Sequence, residues 1–334
     1  MAQLHELVNQ SGLISEINRI CGSDNISYSN QAKIARLNAS LDQYMDLAQN
    51  ASRQWSFDDT GQTAPPLETQ DIVSGTNRYK FASFTSEVWD LIKLEALNSA
   101  GDGIDLIPET FDSLGLSYAG EQSGVISGVI PNTFEELYIQ AASGTPTHYI
   151  KFGDFVYLRP NPNYAKTAGL KAYFTRPITK FTFVTVTVTI ASPGVFTATA
   201  HGLAANDTVI FETDGALPTG LTADTTIYYV ISTGLTADDF RVSTTKGGSA
   251  VNTSGTQSGN HSFVKTSKSP GIPVIHHPYL ARHASLPFLI ENNLPQMPSV
   301  AQQIVAEELK ITKFIASRGR DIKPNLSPMR QNNR

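Results

Sequence analysis

The chain has 334 residues, a length typical of two or three domains that each bury a core. Apolar residues make up 40% and charged residues 16%, both below the soluble average, and Ser, Thr, Asn, Gln and Gly replace them. The net charge of −5 gives no indication of nucleic-acid binding, and a single cysteine, Cys21, excludes an intrachain disulfide or a cysteine metal cluster.

The N-terminal segment, residues 1–17, is amphipathic and lacks the apolar core of a signal peptide. The chain contains no run of about 18 apolar residues, the length that a membrane span requires. We therefore expect a protein that is made in a cytosol and stays soluble, without entering a membrane.

The first 60 residues have the apolar periodicity of helices, with one break at Ser11-Gly12. The apolar positions of the first helix are Leu4, Leu7, Val8, Leu13, Ile14, Ile17 and Ile20. Ser29 can cap a second helix. The stripe of this second helix comprises Ile34, Leu37, Leu41, Tyr44, Met45 and Ala48. Trp55 and Phe57 follow this helix, and we expect them to pack into the core at its end, as a plug.

Residues 69–183 have the pattern of a β-sheet with connectors. RYKFASF predicts one strand, and VWDLIKLEAL and IDLIP predict a hairpin around NSAGDG. THYIKF and FVYLRPNPN predict a second hairpin that turns at Gly153-Asp154. GLKAYFTR is a further strand, beside a partner that ends at Pro160 and Pro162, where prolines suit a strand terminus.

Two helices are predicted after Gly271. The first, in PGIPVIHHPYLARHASLPFLIENN, has Pro278 in its first turn, and Pro287 should kink or split it. The second, in PSVAQQIVAEELKITKFIASRG, has Gly319 as its stop. Its apolar face comprises Val300, Ile304, Val305, Leu309, Ile311, Thr312 and Ile315.

An inserted module is predicted at residues 184–264. In FTFVTVTVTI the apolar positions are odd-numbered up to Phe183 and even-numbered from Val184, so a strand ends or a bulge lies there. The following Gly-, Ser- and Thr-rich stretch contains five short strand signals and is acidic. The predicted fold class is therefore α+β: a helical bundle from N- and C-terminal helices with a small antiparallel sheet (1–183 and 265–318), an inserted all-β domain (184–264), and an extended C-terminal arm (319–334).

The hexapeptide TGLTAD occurs twice in this module, at residues 219–224 and 233–238. Each copy precedes a strand signal, and its glycine permits a positive φ. Because the sequences that flank the two copies differ, we interpret them as two turns of one module; a short structural duplication is the alternative.

No catalytic motif is found: the chain has no phosphate loop, dinucleotide fingerprint, Gly-x-Ser-x-Gly elbow or His-Glu-x-x-His. The glycine-rich GEQSGVISG around Ser123 is interpreted as a loop. Only His276, His277 and His283 cluster, and without a carboxylate between them they are interpreted as structural. The Cys21 thiol is expected to be buried. We expect no enzyme, no cofactor and no metal.

The C-terminal segment is basic from Lys310 onward, with Asp321 as its single acidic residue. It is either a solvated terminus or an arm that docks on an acidic partner surface. The candidate docking residues are Arg318, Arg320, Lys323, Pro324, Leu326, Met329, Arg330 and Arg334.

The order of these elements resembles the head-to-tail connector (portal–tail adaptor) proteins of tailed bacteriophages. Three stretches carry the resemblance: 31–57, a helix that runs into a Trp-containing segment; PTHYIKFGDFVYLRPNPN with GLKAYFTR, a short meander; and 278–315, a closing helix pair. The insert resembles a small β module of phage structural proteins, one named after the first catalytic-cysteine half-domain of ubiquitin-activating enzymes. It contains no cysteine, so the name implies no chemistry here.

The resemblance implies a structural virion protein that forms a homo-oligomeric ring, commonly twelvefold, in the neck between head and tail. Its partners would be the portal protein, tail or nozzle proteins and other copies of itself, with the C-terminal arm docked in portal clefts. Whether DNA contacts the lumen of the ring is left open.

The alternative function is a tail or fibre-associated binding module whose β insert recognises a host surface or carbohydrate. This alternative predicts exposed aromatic residues on the insert. Tyr228 and Tyr229 are the only adjacent aromatic pair there.

Overall fold

The computed structural model describes residues 3–5, 12–24, 27–51, 66–80, 90–109 and 143–318. The architecture is α+β, as predicted, and the chain divides into two compact units. One unit comprises residues 1–53 and 178–334, and the other comprises residues 54–177. The unit that contains the helices thus also contains residues 184–264, which the sequence assigned to an inserted module.

The helical part of the first unit has α3 at its centre, packed against the three other helices. The helices are α1 (Leu13–Cys21), α2 (Asn30–Ala51), α3 (His277–Glu291) and α4 (Met297–Arg318), and a 3₁₀ turn (Val274–His276) leads into α3. The predicted cap of α2 is confirmed, because Ser29 Oγ accepts a hydrogen bond from the Ala32 amide at 3.2 Å. All six residues of its predicted stripe are buried.

One expectation about these helices is corrected, and one of the two outcomes expected at Pro287, a split helix, is excluded. Leu4 is not helical: its amide donates to the Lys268 carbonyl at 3.0 Å, so the segment pairs with the chain beyond the module, and α1 begins only at Leu13. Pro287 does not split α3, which continues to Glu291. Ala284 and Leu289, on either side of the proline, are fully buried, and their packing holds the helix together across the missing hydrogen bond. The predicted plug of Trp55 and Phe57 lies outside the described residues.

The second unit contains two four-stranded sheets, in the orders β1-β10-β3-β4 and β2-β8-β7-β5, and a short β6-β9 pair. The strands are β1 (Leu67–Ile72), β2 (Arg78–Lys80), β3 (Asp90–Leu97), β4 (Gly103–Asp105), β5 (Ile107–Pro108), β6 (Ser143–Gly144), β7 (His148–Phe152), β8 (Phe155–Arg159), β9 (Asn161–Pro162) and β10 (Lys166–Thr175). Both four-stranded sheets contribute to one core, which includes Tyr79, Leu94, Leu158 and Phe174.

Both predicted hairpins of this unit are present. Strands β3 and β4 pair antiparallel, and β7 and β8 pair around Gly153, whose φ of +57° suits a residue without a Cβ. The predicted position of GLKAYFTR was wrong, because β10 pairs with β1 and β3 rather than with the β7–β8 hairpin. In this arrangement Leu170 and Phe174 face the shared core. The loop around Ser123 lies outside the described residues.

Residues 184–264 form the predicted all-β module, with the seven-strand order β15-β12-β11-β17-β13-β14-β16. The strands are β11 (Val184–Val188), β12 (Phe196–Thr197), β13 (Thr208–Thr213), β14 (Ile227–Val230), β15 (Asp239–Phe240), β16 (Val242–Ser243) and β17 (His261–Lys265). The strands at the two edges, β15 and β16, are separated only by Arg241, so the sheet curls into a nearly closed barrel. The module begins where the apolar positions in the sequence change from odd to even numbers, because β11 starts at Val184.

The outer face of this barrel is also partly buried. Val209 and Phe211 belong to the barrel core, so Ile210 between them points outward, yet it is fully buried. Hydrogen bonds from the helical part reach the same side: the His5 amide donates to the Thr266 carbonyl at 3.2 Å, and Asn30 Nδ2 donates to the Asp224 carbonyl at 2.6 Å. The module is therefore fixed to the N-terminal segment and α2.

Candidate interaction surfaces

Helix α4 has apolar residues on two faces. One face is buried against the other helices and comprises Val300, Ile304, Ile311 and Ile315. Val305 and Leu309, which the sequence placed on the same face, are instead 58% and 60% exposed. They are one turn apart, so their side chains are neighbours and form an apolar ridge on the solvent side of the helix. We call this pair the α4 ridge.

Polar contacts fix the rotation of α4 on α3. The Tyr279 hydroxyl donates to Glu308 Oε1 at 3.3 Å, and Arg282 forms an ion pair with Glu307. Burial and the neighbouring Glu308 raise the pKa of Tyr279, so its hydroxyl stays protonated and acts as a donor. Glu307 and Glu308 are therefore turned toward α3, and the α4 ridge points away from it.

The candidate docking residues cannot be placed as a set. Arg318 is the last residue of α4, and the other seven lie outside the described residues. Lys310 and Lys313 are exposed on α4, before its last turn. The basic stretch thus begins at Lys310 within α4, a helix that is anchored to α3.

Two of the three clustered histidines, His276 in the 3₁₀ turn and His283 on α3, contact α2, whereas His277 Nε2 lies 3.1 Å from the Ile272 carbonyl oxygen. His276 Nδ1 lies 2.7 Å from the Tyr44 hydroxyl, and His283 Nδ1 lies 2.9 Å from Ser40 Oγ, one turn away on α2. Burial lowers the pKa of both rings, that of His276 to about 4, so both are neutral at pH 7. They are structural, as predicted. Among the described residues, no group of three or more His, Cys, Asp or Glu side chains could hold a metal ion.

The single cysteine is also buried, as predicted. Cys21 is 4% exposed, and its Sγ lies 3.9 Å from the Ser285 carbonyl oxygen. Burial raises the pKa of the thiol, so it is not poised as a thiolate nucleophile.

Five of the six Phe and Tyr side chains of the β module are buried, Tyr229 being the exception. Four stacked or edge-on phenylalanines fill the barrel: Phe196, Phe211, Phe240 and Phe263. Tyr228 is 1% exposed and its hydroxyl accepts the Thr222 amide at 2.8 Å, whereas Tyr229 is half-buried. The alternation therefore points one tyrosine inward, as predicted. No aromatic side chain in residues 184–264, all of which the structure describes, is exposed enough to form a stacking platform for a sugar.

A shallow cavity of about 200 Å³ lies between β11 and residues 257–261. Thr187, Gln257 and Asn260 are among its lining residues, and Gln257 Nε2 donates to the Val188 carbonyl at 2.8 Å. No Trp, Tyr or Phe lines it. Val186 and Val188 also line the cavity, so it combines small polar groups with two valine side chains and has no aromatic surface.

The two TGLTAD copies are turns, as predicted, but they differ in structure. Both glycines have positive φ, +105° at Gly220 and +77° at Gly234. In the second copy, Thr236 Oγ1 accepts the Asp239 amide at 2.9 Å and closes the turn locally. In the first copy, Asp224 has a φ of +63°, and its amide donates to Phe211 of β13 at 2.9 Å.

The first copy also forms a feature that sequence reasoning missed. The carboxyl group of Asp224 is hydrogen-bonded to that of Glu212, and the Asp224 backbone carbonyl accepts the bond from Asn30 at the start of α2. We call these three residues the seam cluster. Because they are 12 and 182 or more positions apart, no local spacing could indicate the contact; only the packing of the module on α2 produces it.

Burial and the charge of Asp224 raise the pKa of Glu212 to about 7. Burial also raises the pKa of Asp224. The two carboxyl groups of the seam cluster are therefore held in a position that disfavours two negative charges.

Comparison of the sequence with models of known protein families and with curated proteins found no significant match. None of the helices that the structure describes combines the length and the hydropathy needed to cross a bilayer.

Proposed function

We propose that the chain is a structural virion protein, a portal–tail adaptor that forms an oligomeric ring in the neck of a tailed bacteriophage and joins the capsid portal to the tail. The order of elements supports this proposal: N-terminal helices, an antiparallel sheet with a tight Gly153 turn, and a closing helix pair that returns to the N-terminal helices. The resemblance to connector proteins rests on the same order.

The observation that carries the proposal is the α4 ridge. The buried face of α4 is already occupied within the chain, and Val305 and Leu309 form a second apolar face that no described element covers. Burying the exposed part of each side chain would stabilise an assembly by less than the roughly 1.5–3 kcal/mol of a fully exposed residue. A helix with two apolar faces is what a ring subunit needs, since one face builds the subunit and the other contacts the next copy.

The basic C-terminal segment extends this proposal to the portal. Its arm, residues 319–334, follows Arg318, where α4 ends, and α4 is tied to α3 through Tyr279 and Arg282. In an assembled ring each copy would present its segment from an equivalent fixed point. We propose that the segment binds acidic clefts of the portal and orders on binding, through charge-assisted hydrogen bonds of its arginines.

Self-assembly is tested on the purified full chain by light scattering after size exclusion and by negative-stain electron microscopy. We expect rings, with a population that rises with protein concentration. The double substitution Val305→Glu and Leu309→Glu should give monomers with unchanged circular dichroism, whereas Gln302→Glu with Gln303→Glu, two exposed positions on the same helix, controls for added negative charge. Rings that persist in the ridge variant would refute the role of the ridge, and a chain that stays monomeric also with the portal would refute the adaptor.

Portal docking is tested by deleting residues 319–334 and measuring co-sedimentation with portal rings. The deletion should abolish binding, and raising the salt concentration should weaken binding of the full chain. If the deleted chain still binds portal rings, the proposal that residues 319–334 dock on the portal is wrong. This result would not bear on ring formation, which is tested separately.

The alternative, a module that recognises a host surface or carbohydrate, is not favoured by a specific observation. Its expected signature was exposed aromatic residues on the β module, and the aromatic residues there are buried or half-buried. Deleting residues 185–263 would distinguish the two functions. If the alternative is right, the deletion should abolish host binding and leave assembly intact.

A further inference from the structure

The seam cluster lies where the β module meets the helical part. Glu212 follows Phe211 of the barrel core, so its side chain points to the outer face of the module. Asn30 is the first residue of α2 and is fully buried, and its side-chain nitrogen lies 2.6 Å from the Asp224 carbonyl oxygen. The amide of Asn30 is thus directed at the turn that carries Asp224.

Two oxygen atoms of the seam cluster are buried without a donor. Asn30 Oδ1 and Glu212 Oε1 have no hydrogen-bond partner among the described residues. A buried acceptor that is left unsatisfied costs on the order of 1–3 kcal/mol, so such atoms in a folded protein call for a water or an ion. The carboxyl group of Asp224, bonded to Glu212, adds a third group of oxygen ligands.

A shared proton does not account for this arrangement. One proton between Glu212 and Asp224 removes a negative charge, but it leaves Asn30 Oδ1 without a donor. A cation bound by the two carboxylates offsets the repulsion between them, and an amide oxygen that lacks a donor is available as a further ligand. Carboxylate and amide oxygens, with no nitrogen or sulfur ligand, form the donor set that Ca²⁺ and Mg²⁺ prefer.

We propose that the seam cluster is a binding site for a hard divalent cation, with Ca²⁺ as the ligand that its oxygen donors fit best. The carboxylates of Glu212 and Asp224 and the amide oxygen of Asn30 bind the ion, and water completes its coordination. Because Asn30 belongs to α2 and the two acids belong to the module, the ion links the module to the helical part. Removal of the ion loosens this link.

The test uses the full chain, freed of metal with EDTA and dialysed at pH 7.5. Thermal unfolding is then followed by circular dichroism while CaCl₂ is added. We expect the midpoint to rise, by roughly 5 °C when free Ca²⁺ is about 100 times its dissociation constant. Tb³⁺ should bind the same site and show luminescence on excitation of aromatic residues, and Ca²⁺ should displace it.

Glu212→Gln and Asp224→Asn should each abolish both responses. Both variants should fold without metal, since each removes one of two carboxylates that repel each other. The matched control is Asp46→Asn, which makes the same change at an exposed position on α2 and should respond like the wild type. Mg²⁺ tested in parallel gives the preference between the two ions.

Two results would overturn the proposal. The first is a wild-type chain whose midpoint is unaffected by Ca²⁺ or Mg²⁺ and which shows no Tb³⁺ signal; the seam cluster would then be a protonated carboxyl pair with a buried water. The second is an equal response in Glu212→Gln and Asp46→Asn, which would place the ion elsewhere. Neither result depends on ring formation or portal docking.

Discussion

The side chain of Asn38 on α2 clamps the backbone of Phe181: its Oδ1 accepts the Phe181 amide at 2.9 Å and its Nδ2 donates to the Phe181 carbonyl at 2.8 Å. Phe181 is 2% exposed and belongs to no strand. This pair of bonds satisfies the backbone of a buried residue immediately before the β module and fixes where the module leaves the helical part.

Asn38→Ala should therefore destabilise the first unit more than an ordinary surface change. It removes both bonds and leaves the amide and carbonyl of Phe181 unsatisfied, at a cost of about 2–4 kcal/mol in the free energy of unfolding. Urea denaturation measures the change. Asn50→Ala, at an exposed position of the same helix, is the control and should change stability by less than about 0.5 kcal/mol. Equal effects of the two substitutions would show that the clamp contributes nothing.

Alanine substitutions on the two faces of α4 should reduce the free energy of unfolding by very different amounts. Ile311 is 1% exposed, so Ile311→Ala should cost about 2–4 kcal/mol through lost burial and a residual cavity. Leu309 is 60% exposed, so Leu309→Ala should cost less than about 0.5 kcal/mol in the monomer. Chemical denaturation at low protein concentration measures the loss of stability in each variant. A large loss for Leu309→Ala under these conditions would mean that the α4 ridge is covered within the chain.

The buried histidines predict a loss of stability in acid. The folded-state pKa of His276 is about 4, below its usual 6.5, so the unfolded chain binds more protons between these values. The stabilisation by neutral His276 is complete above pH 6.5 and is lost as the pH falls toward 4. Glu212 acts in the opposite sense, because its raised pKa of about 7 costs stability as the pH rises from 4.5 through 7.

His276→Asn isolates the histidine contribution. The free-energy difference between wild type and variant should be largest above pH 6.5 and should shrink by roughly 1 kcal/mol or more as the pH falls to 4.5. Urea denaturation at several pH values measures it. A difference that does not change with pH would show that His276 is not held neutral by burial.

The two glycines of the repeated hexapeptide should respond differently to alanine. A Cβ at Gly220 would lie 2.2 Å from the Asn252 carbonyl oxygen, whereas one at Gly234 would meet the flexible guanidinium of Arg241 at 3.0 Å. Both changes carry the strain of a positive φ, about 1–2 kcal/mol, and Gly220→Ala adds a backbone clash. We expect a cost of about 3 kcal/mol or more for Gly220→Ala and about 1 kcal/mol for Gly234→Ala, measured by thermal unfolding. Equal costs would show that the two copies are equivalent turns.

Local patterns predicted much of the fold. The stripe of α2, the cap at Ser29, the turn at Gly153 and the start of β11 at Val184 were all recognisable, because each depends on residues within a few positions of one another. The burial of Cys21 was also anticipated from its apolar neighbours, and the structural role of the histidines from the absence of a carboxylate between them. The docking arm and the plug at Trp55 remain predictions, because they lie outside the described residues.

Long-range packing accounts for what sequence reasoning missed. Strand β10 was paired with the wrong neighbour because antiparallel partners can be far apart in sequence, as β1 and β10 are. Val305 and Leu309 were assigned to the buried face of α4 because a one-dimensional pattern shows which residues are apolar but not which side another helix covers.

The sequence alone thus determined the helices, the all-β module and the position of the basic C-terminal segment, since periodicity and turn chemistry act over a few residues. Only the tertiary structure decided that the module is fixed to α2, that α4 exposes a second apolar face, and that Asn30, Glu212 and Asp224 meet. The reason is physical: burial and charge proximity depend on which surfaces pack together, and residues as distant as Asn30 and Asp224 become neighbours only after the chain has folded.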